Sequence, residues 1–231
     1  MATRKRPPAE PRAARSAAAP AMASVAEKYH HGALRAALID AAEALLREQG
    51  LEAFKLRECA RRAGVSHAAP AHHFRDARGL LSACAAAGFE RLADAMQANL
   101  ARQPGADAAG RLRAVGQAYV DFALANRALF QLMFRRDRLD PADPALQRAG
   151  RRTGDLLRQS IDGLIAERGL APAERGRRIL LAWSLVHGYA TLVLEQQAAE
   201  MFGIDAEHAD AASAMGSELL QLLMSGLANE A

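Results

Sequence analysis

Apolar residues recur at three- and four-residue intervals along almost the whole chain, and nowhere do they alternate as in a half-buried strand. The first long stripe, Leu34, Leu38, Ala41, Ala42, Leu45 and Leu46, predicts a helix over 29–49 that Gly50 closes. Further stripes predict helices over 77–102, 111–126, 128–135, 144–168, 173–197 and 206–227. Asp76 offers a cap for the 77–102 helix, and Gly169 ends the 144–168 helix. The expected fold class is all-α.

Residues 55–74, KLRECARRAGVSHAAPAHHF, break this rhythm. Leu56, Cys59, Ala60 and Ala63 form one apolar face, with Arg57, Glu58, Arg61 and Arg62 opposite. Gly64 supplies a left-handed stop, and Ser66 is a good N-cap for a short second helix over 67–73 with Pro70 near its first turn. Two short helices around a tight turn fit a helix-turn-helix, whose second helix enters the DNA major groove. Spacing alone fits an ordinary pair of core helices equally well.

The neighbouring residues carry a resemblance. Ala41-Ala42, Leu45-Leu46, Gly50, Phe54, the run from Leu56 to Ser66, His73-Phe74 and Leu80-Leu81 together resemble the DNA-binding domain of TetR-family transcriptional regulators. Trp183, His187 and Gly188 are similar to a Trp-xxx-His-Gly signature in one group of TetR-type C-terminal domains. The resemblance implies an N-terminal three-helix helix-turn-helix domain plus a C-terminal helical ligand-binding and dimerisation domain. The expected division is a disordered basic leader (1–28), a DNA-binding domain (29–76) and a ligand-binding and dimerisation domain (77–231).

On that reading Ser66, His67, Ala68 and His72 meet base edges, while Arg35, Arg57, His73 and Arg78 meet phosphates. Arg35 shares the first helix's N-terminal end with Tyr29, His30 and His31, where free N–H groups favour an anion. Three positions depart from the family: Ala71 stands where an aromatic ring is common, Ala77 where a Lys is, and Lys55 where a Thr-like cap is. Each missing phosphate contact lowers affinity and flattens its salt dependence.

Charge supports a nucleic-acid partner at one end. Residues 1–80 carry 14 Lys and Arg against 8 Asp and Glu, net +6, leaving 16 against 18, net −2. Part of the excess lies in the leader, whose Arg4, Lys5, Arg6, Arg12 and Arg15 would add only non-specific phosphate attraction; Met22 is an alternative start. Cys59 and Cys84 fall on apolar faces and read as packed thiols. Adjacent histidines point to different sides of a helix, so His30-His31 and His72-His73 make poor metal sites. No cofactor and no catalytic set is expected, and no apolar run reaches membrane-spanning length. The prolines among the first residues break any signal-peptide core, so a cytoplasmic protein is expected.

In the C-terminal part, Tyr119, Phe122, Phe130, Met133, Phe134, Trp183 and His187 are the candidate ligand pocket, since apolar cavities with few polar groups hold small ligands. Core packing competes with that reading at Trp183 and His187. The last two helices are apolar on more than one face, which predicts a homodimer through Val186, Val193, Leu194, Met215, Leu219, Leu222 and Leu223, with Gly188 and Gly216 allowing close approach. The expected partners are double-stranded DNA, a second copy of the chain and an unknown small apolar ligand. The function these expectations define is a ligand-responsive DNA-binding regulator; the alternative is a regulator-derived scaffold that has lost tight operator binding.

Overall fold

The computed structural model describes the backbone of residues 21–228 and the side chains of residues 33–226. Residues 1–20 of the expected leader and the side chains of Tyr29, His30 and His31 lie outside the described residues. What is described is helical throughout, with no strand.

Three helices form the head. Helix α1 (Ala21–Gln49) starts at Ala21, ahead of the expected 29. This corrects the placing of residues 29–35 at its N-terminal end: they lie beyond its first turn, where the backbone N–H groups are already used. Gly50 takes the left-handed conformation after it. Its stripe of Leu38, Ala42, Leu45 and Leu46 is buried against Cys59 of α2 (Leu56–Arg62). The Cys59 thiol donates to the Leu38 carbonyl at 3.2 Å. Gly64, at φ +68°, turns the chain as expected. Helix α3 (Ala69–Phe74) is shorter than expected, which corrects the role given to Ser66. The backbone of Ser66 and His67 still belongs to the turn, Ala68 is the cap residue, and no side chain caps the helix. The Ser66 carbonyl instead accepts from the Ala69 N–H at 3.0 Å.

Helix α4 (Ala77–Ala101) begins in both senses expected: Asp76 caps it through the Gly79 N–H at 2.8 Å, and Leu80-Leu81 bury at once. The turn into it is tight, with Arg75 at φ +66°. A side chain on Gly79 would place its Cβ 2.0 Å from the Phe74 carbonyl oxygen, so the close approach of α3 to α4 depends on this glycine.

The body packs α5 (Ala108–Ala125), α6 (Arg127–Met133) and α7 (Pro144–Arg168) around α4. A 3-10 turn (Pro172–Glu174) leads into α8 (Arg175–Leu194), and α9 (Gln197–Phe202) and α10 (Ala209–Ala228) follow. The helix expected over 173–197 is α8, and Gln196, at φ +62°, turns the chain into the short α9, which was not expected.

Buried apolar residues run without a break from Leu38 through Leu80, Leu92 and Phe122 to Val193 and Leu220, so head and body share one core. The loop after α6 adds polar ties to the head. Arg135 and Arg138 pair with Glu52 at 3.2 and 3.0 Å, Arg138 donates to the Leu51 carbonyl, and Arg78 Nε donates to the Leu139 carbonyl at 2.7 Å. No described helix is long and apolar enough to cross a membrane.

Candidate nucleic-acid interface and ligand cavity

The head exposes Arg57, Ser66, His67, Ala68, Ala71 and His72 to solvent, in α2, the turn and α3. Charge on α2 is sorted by pairing. Arg61 is held by Glu58 at 2.6 Å and Arg62 by Glu48 at 2.6 Å, whereas Arg57 pairs with no carboxylate among the described residues. The Arg61 bond pulls the Glu58 carboxyl down to about 2 and the Arg62 bond lowers that of Glu48, so both pairs stay ionised. Lys55 makes no capping bond, as expected of a lysine at an N-cap.

Arg35, His73 and Arg78 line one cleft of about 200 Å³ beside α3. Arg35 also lies over the Phe74 ring at 5.2 Å. Asp76, Asp140 and Asp143 share that cleft, so it is not a purely basic surface. Arg78 departs from its assignment to phosphate alone, because its Nε is engaged with the Leu139 carbonyl and ties α4 to the loop after α6.

Burial pushes the Cys59 thiol up to about 11 and the Cys84 thiol further, which makes both unreactive packing groups. No cluster of potential metal ligands occurs among the described residues.

The body holds an apolar cavity of about 340 Å³ between α4, α5, α7, α8 and α10. Tyr119, Phe134 and Trp183 line it, as expected. Phe122 and Met133 do not; both are buried in the core, because α5 and α6 turn those side chains onto their own neighbours. Phe130 and His187 line a separate cleft of about 420 Å³ with Leu51, Glu52, Arg135 and Thr191. The two sites share a wall. The Tyr119 hydroxyl and His187 Nδ1 are in hydrogen-bond contact at 2.7 Å, and the His187 ring lies 4.5 Å from that of Phe134 and 5.8 Å from that of Phe130. Burial raises the Tyr119 hydroxyl above its ordinary range, with Trp183 pulling the other way, and lowers His187, which favours the neutral imidazole.

Helix α7 builds a wall of the cavity that was not among the expected pocket residues. Gly150, Thr153, Gly154, Leu157 and Arg158 all line the cavity. Their positions at i, i+3, i+4, i+7 and i+8 were a readable signal, since they mark one helix face. Glycine and arginine carry no weight in an apolar-periodicity scan.

The proposed dimer residues need correction. Val186, Val193 and Leu194 are buried within the chain itself, since the most apolar stripe of α8 packs onto its own core. Met215, Leu219 and Leu223 are half-buried, and only Leu222 of that set is exposed. The exposed large apolar residues of α8 are Leu180, Leu181, Trp183 and Leu192. Gly188 faces open space, whereas Gly216 is buried against Val120 and Tyr189 within the chain.

Two family models match the chain. Residues 38–84 match the bacterial regulatory proteins of the tetR family, and residues 112–219 match the tetracyclin repressor-like C-terminal domain. The chain belongs to the TetR family. Among curated relatives, the HTH-type transcriptional regulator BetI of Yersinia pestis is 35% identical over 94 residues, covering 41% of this chain and 48% of that protein. This TetR-family chain thus matches only about half the length of such relatives. A protein of unknown function from Rhodococcus sp. RHA1 is 37% identical, with 82% of this chain and 96% of that one aligned at a TM-score of 0.64. FadR from Bacillus subtilis, solved in complex with stearoyl-CoA, has the same fold at 17% identity, with 82% and 97% aligned and a TM-score of 0.64.

Proposed function

We propose that this TetR-family regulator is a repressor that binds a near-palindromic operator as a homodimer and is released by a small apolar ligand. Residues 29–76 form the DNA-reading unit and residues 77–231 the ligand and dimer unit. The observation that carries the reading is the exposed face of Ser66, His67, Ala68 and His72 beside the unpaired Arg57. Small side chains let a helix approach base edges closely, and an arginine not neutralised by its neighbours is available to a phosphate. Arg35 and His73 extend the phosphate contacts.

Two copies place their heads side by side through the exposed Leu181, Leu192 and Leu222, on faces of α8 and α10 that the described residues leave uncovered. The apolar cavity supplies the ligand site; the stearoyl-CoA bound by a protein of the same fold supports a ligand there. Release follows when ligand binds more tightly to the conformation whose two heads cannot span the operator.

A fluorescence-anisotropy titration against the DNA upstream of the protein's own gene, at two salt concentrations beside a scrambled duplex, tests this. Preference for the native duplex at the higher salt is expected. Arg57→Ala should weaken all sequences alike and reduce the salt slope by about one unit. His67→Ala should change which operator is preferred; equal weakening of every sequence would remove it from base reading. The second reading, a scaffold without tight operator binding, rests on the short Ala71 side chain exposed on α3 and Ala77 at the start of α4. Equal, salt-sensitive binding to both duplexes, repeated with other candidate operators, would favour it.

A further inference from the structure

The 340 Å³ cavity contains more chemistry than its apolar walls suggest, and that chemistry is concentrated at one point. Four of its lining side chains carry polar atoms: Tyr119, Thr153, Arg158 and Trp183. Two of these, Tyr119 and Thr153, are already engaged by hydrogen bonds. The Tyr119 hydroxyl is bonded to His187 and faces Trp183, and the Thr153 hydroxyl lies 3.0 Å from the Phe89 carbonyl and 3.1 Å from that of Ala149. The interior therefore offers a ligand almost no free donor or acceptor.

Arg158 is different. Among the described residues it is the one charged side chain on the wall, and it is partly exposed to solvent. Its Nε and Nη2 both reach Asp155 Oδ1, at 3.1 and 2.5 Å, and Nη2 also reaches the Arg151 carbonyl at 3.4 Å. These bonds fix the plane of the guanidinium. Nη1 makes no hydrogen bond among the described residues, and it lies 3.0 Å from where a Cβ on Gly154 would stand. The absence of a side chain at Gly154 thus lets the guanidinium fold back along α7 onto the cavity. One turn earlier, a Cβ on Gly150 would meet nothing within 4 Å, so that glycine leaves open space on the same face.

We propose that the cavity takes an amphipathic carboxylate: an apolar body inside, against Tyr119, Phe134 and Trp183, and the carboxylate at the mouth on Arg158. This rests on the reading of the cavity as the ligand site and adds the chemical class. A cavity of about 150 Å³ holds one benzene ring, so this one holds a body of roughly a dozen apolar heavy atoms. A medium-length alkanoate and a two-ring aromatic acid both satisfy that. The carboxylate replaces solvent on Nη1, and charged hydrogen bonds of this kind are the strong ones. Asp155 competes for the same guanidinium, which tempers affinity and gives the test a second sign.

Trp183 is the chain's one tryptophan and lines the cavity, so its emission reports binding directly. Full-length protein is titrated with decanoate, decanol and 2-naphthoate. Decanoate is expected to bind about tenfold more tightly than decanol, and Arg158→Gln to remove that difference while leaving decanol unchanged. Asp155→Asn is expected to tighten decanoate, and Arg158→Lys to retain part of the preference. Circular dichroism and a thermal melt establish that each variant is folded. Whether decanoate or 2-naphthoate binds more tightly separates a chain from a ring, and either supports the proposal. Decanol binding as tightly as decanoate would overturn it, as would Arg158→Gln weakening both alike. If no probe perturbs Trp183, both the proposal and the ligand-site reading fail. Arg158-dependent decanoate binding that leaves operator DNA bound keeps the ligand class and removes only its role as the releasing signal.

Discussion

The head and the body use charge in opposite ways. On α2, arginines are numerous and the fold neutralises most of them internally, through Glu58 and Glu48, so that Arg57 is left for a partner. The cavity wall is almost without charge, and Arg158 stands alone on it. On the proposed reading, the head selects an anion by subtracting competitors, and the cavity does so by holding a single cation where the hydroxyls of Tyr119 and Thr153 are already bonded. The head's reading surface is also exposed and lightly packed, whereas the cavity lies inside the core. Substitutions on the reading surface should change binding with little change in stability, and substitutions at the cavity wall should change both.

The sharpest exception is expected at Gly79, which belongs to the head but is a packing position. Gly79→Ala forces a Cβ against the Phe74 carbonyl oxygen at a separation no real Cβ adopts, so the turn between α3 and α4 must move. A loss of about 2–3 kcal/mol in urea unfolding is expected, together with loss of operator binding. Arg57→Ala, by contrast, should stay within about 0.5 kcal/mol of the parent in the same experiment. A mild Gly79→Ala would mean that the turn relaxes freely and that the placement of α3 does not depend on it.

That glycine illustrates what was legible from residues alone and what was not. Helix α7 was read to its ends, because Pro144 suits a first helical turn and Gly169 marks the stop, and the structure adds the Asp143 cap. Gly64, Asp76 and the buried stripe of α1 were read for the same reason. The start of α3 was misread, since Ser66 has the chemistry of a cap but its carbonyl serves the turn instead. The short α9 was missed, because Gln196 reaches positive φ ahead of it with neither Gly nor Pro to mark a turn between two helices. The pocket was half legible. Aromatic residues signal a cavity and a core alike, which is why Phe122 and Met133 were misplaced, and the α7 wall is made of residues that a hydrophobic scan passes over.

The wall between cavity and cleft gives a smaller expected effect. Tyr119→Phe removes the hydroxyl that His187 Nδ1 meets at 2.7 Å and should cost about 1 kcal/mol. His187 also makes stability depend on pH. Burial holds its pKa below the ordinary value of 6.5, so the unfolded chain binds the proton more readily than the folded one. The contribution is complete above about pH 6.5 and is lost as pH falls through the lowered folded value. Urea midpoints measured from pH 7.5 to 5 should therefore decline less steeply in His187→Phe than in the parent. Parallel curves would show that His187 is not what makes the wall acid-sensitive.

The smallest effect is expected where the two regions meet in polar contact. Glu52 pairs with both Arg135 and Arg138, yet it is largely exposed, and exposed pairs contribute little. Glu52→Ala should change unfolding stability by less than about 1 kcal/mol, because the head is held to the body by apolar burial continuous from Leu38 and Phe74 to Leu80 and Leu92. The urea slope should also be unchanged, as one shared core unfolds in one transition. A second transition in Glu52→Ala would mean instead that the ion pairs couple two separately folding units. The contrast between head and body would then be one between domains, and ligand occupancy would have to reach the proposed DNA-facing helices through the Glu52 contacts rather than through the shared apolar core.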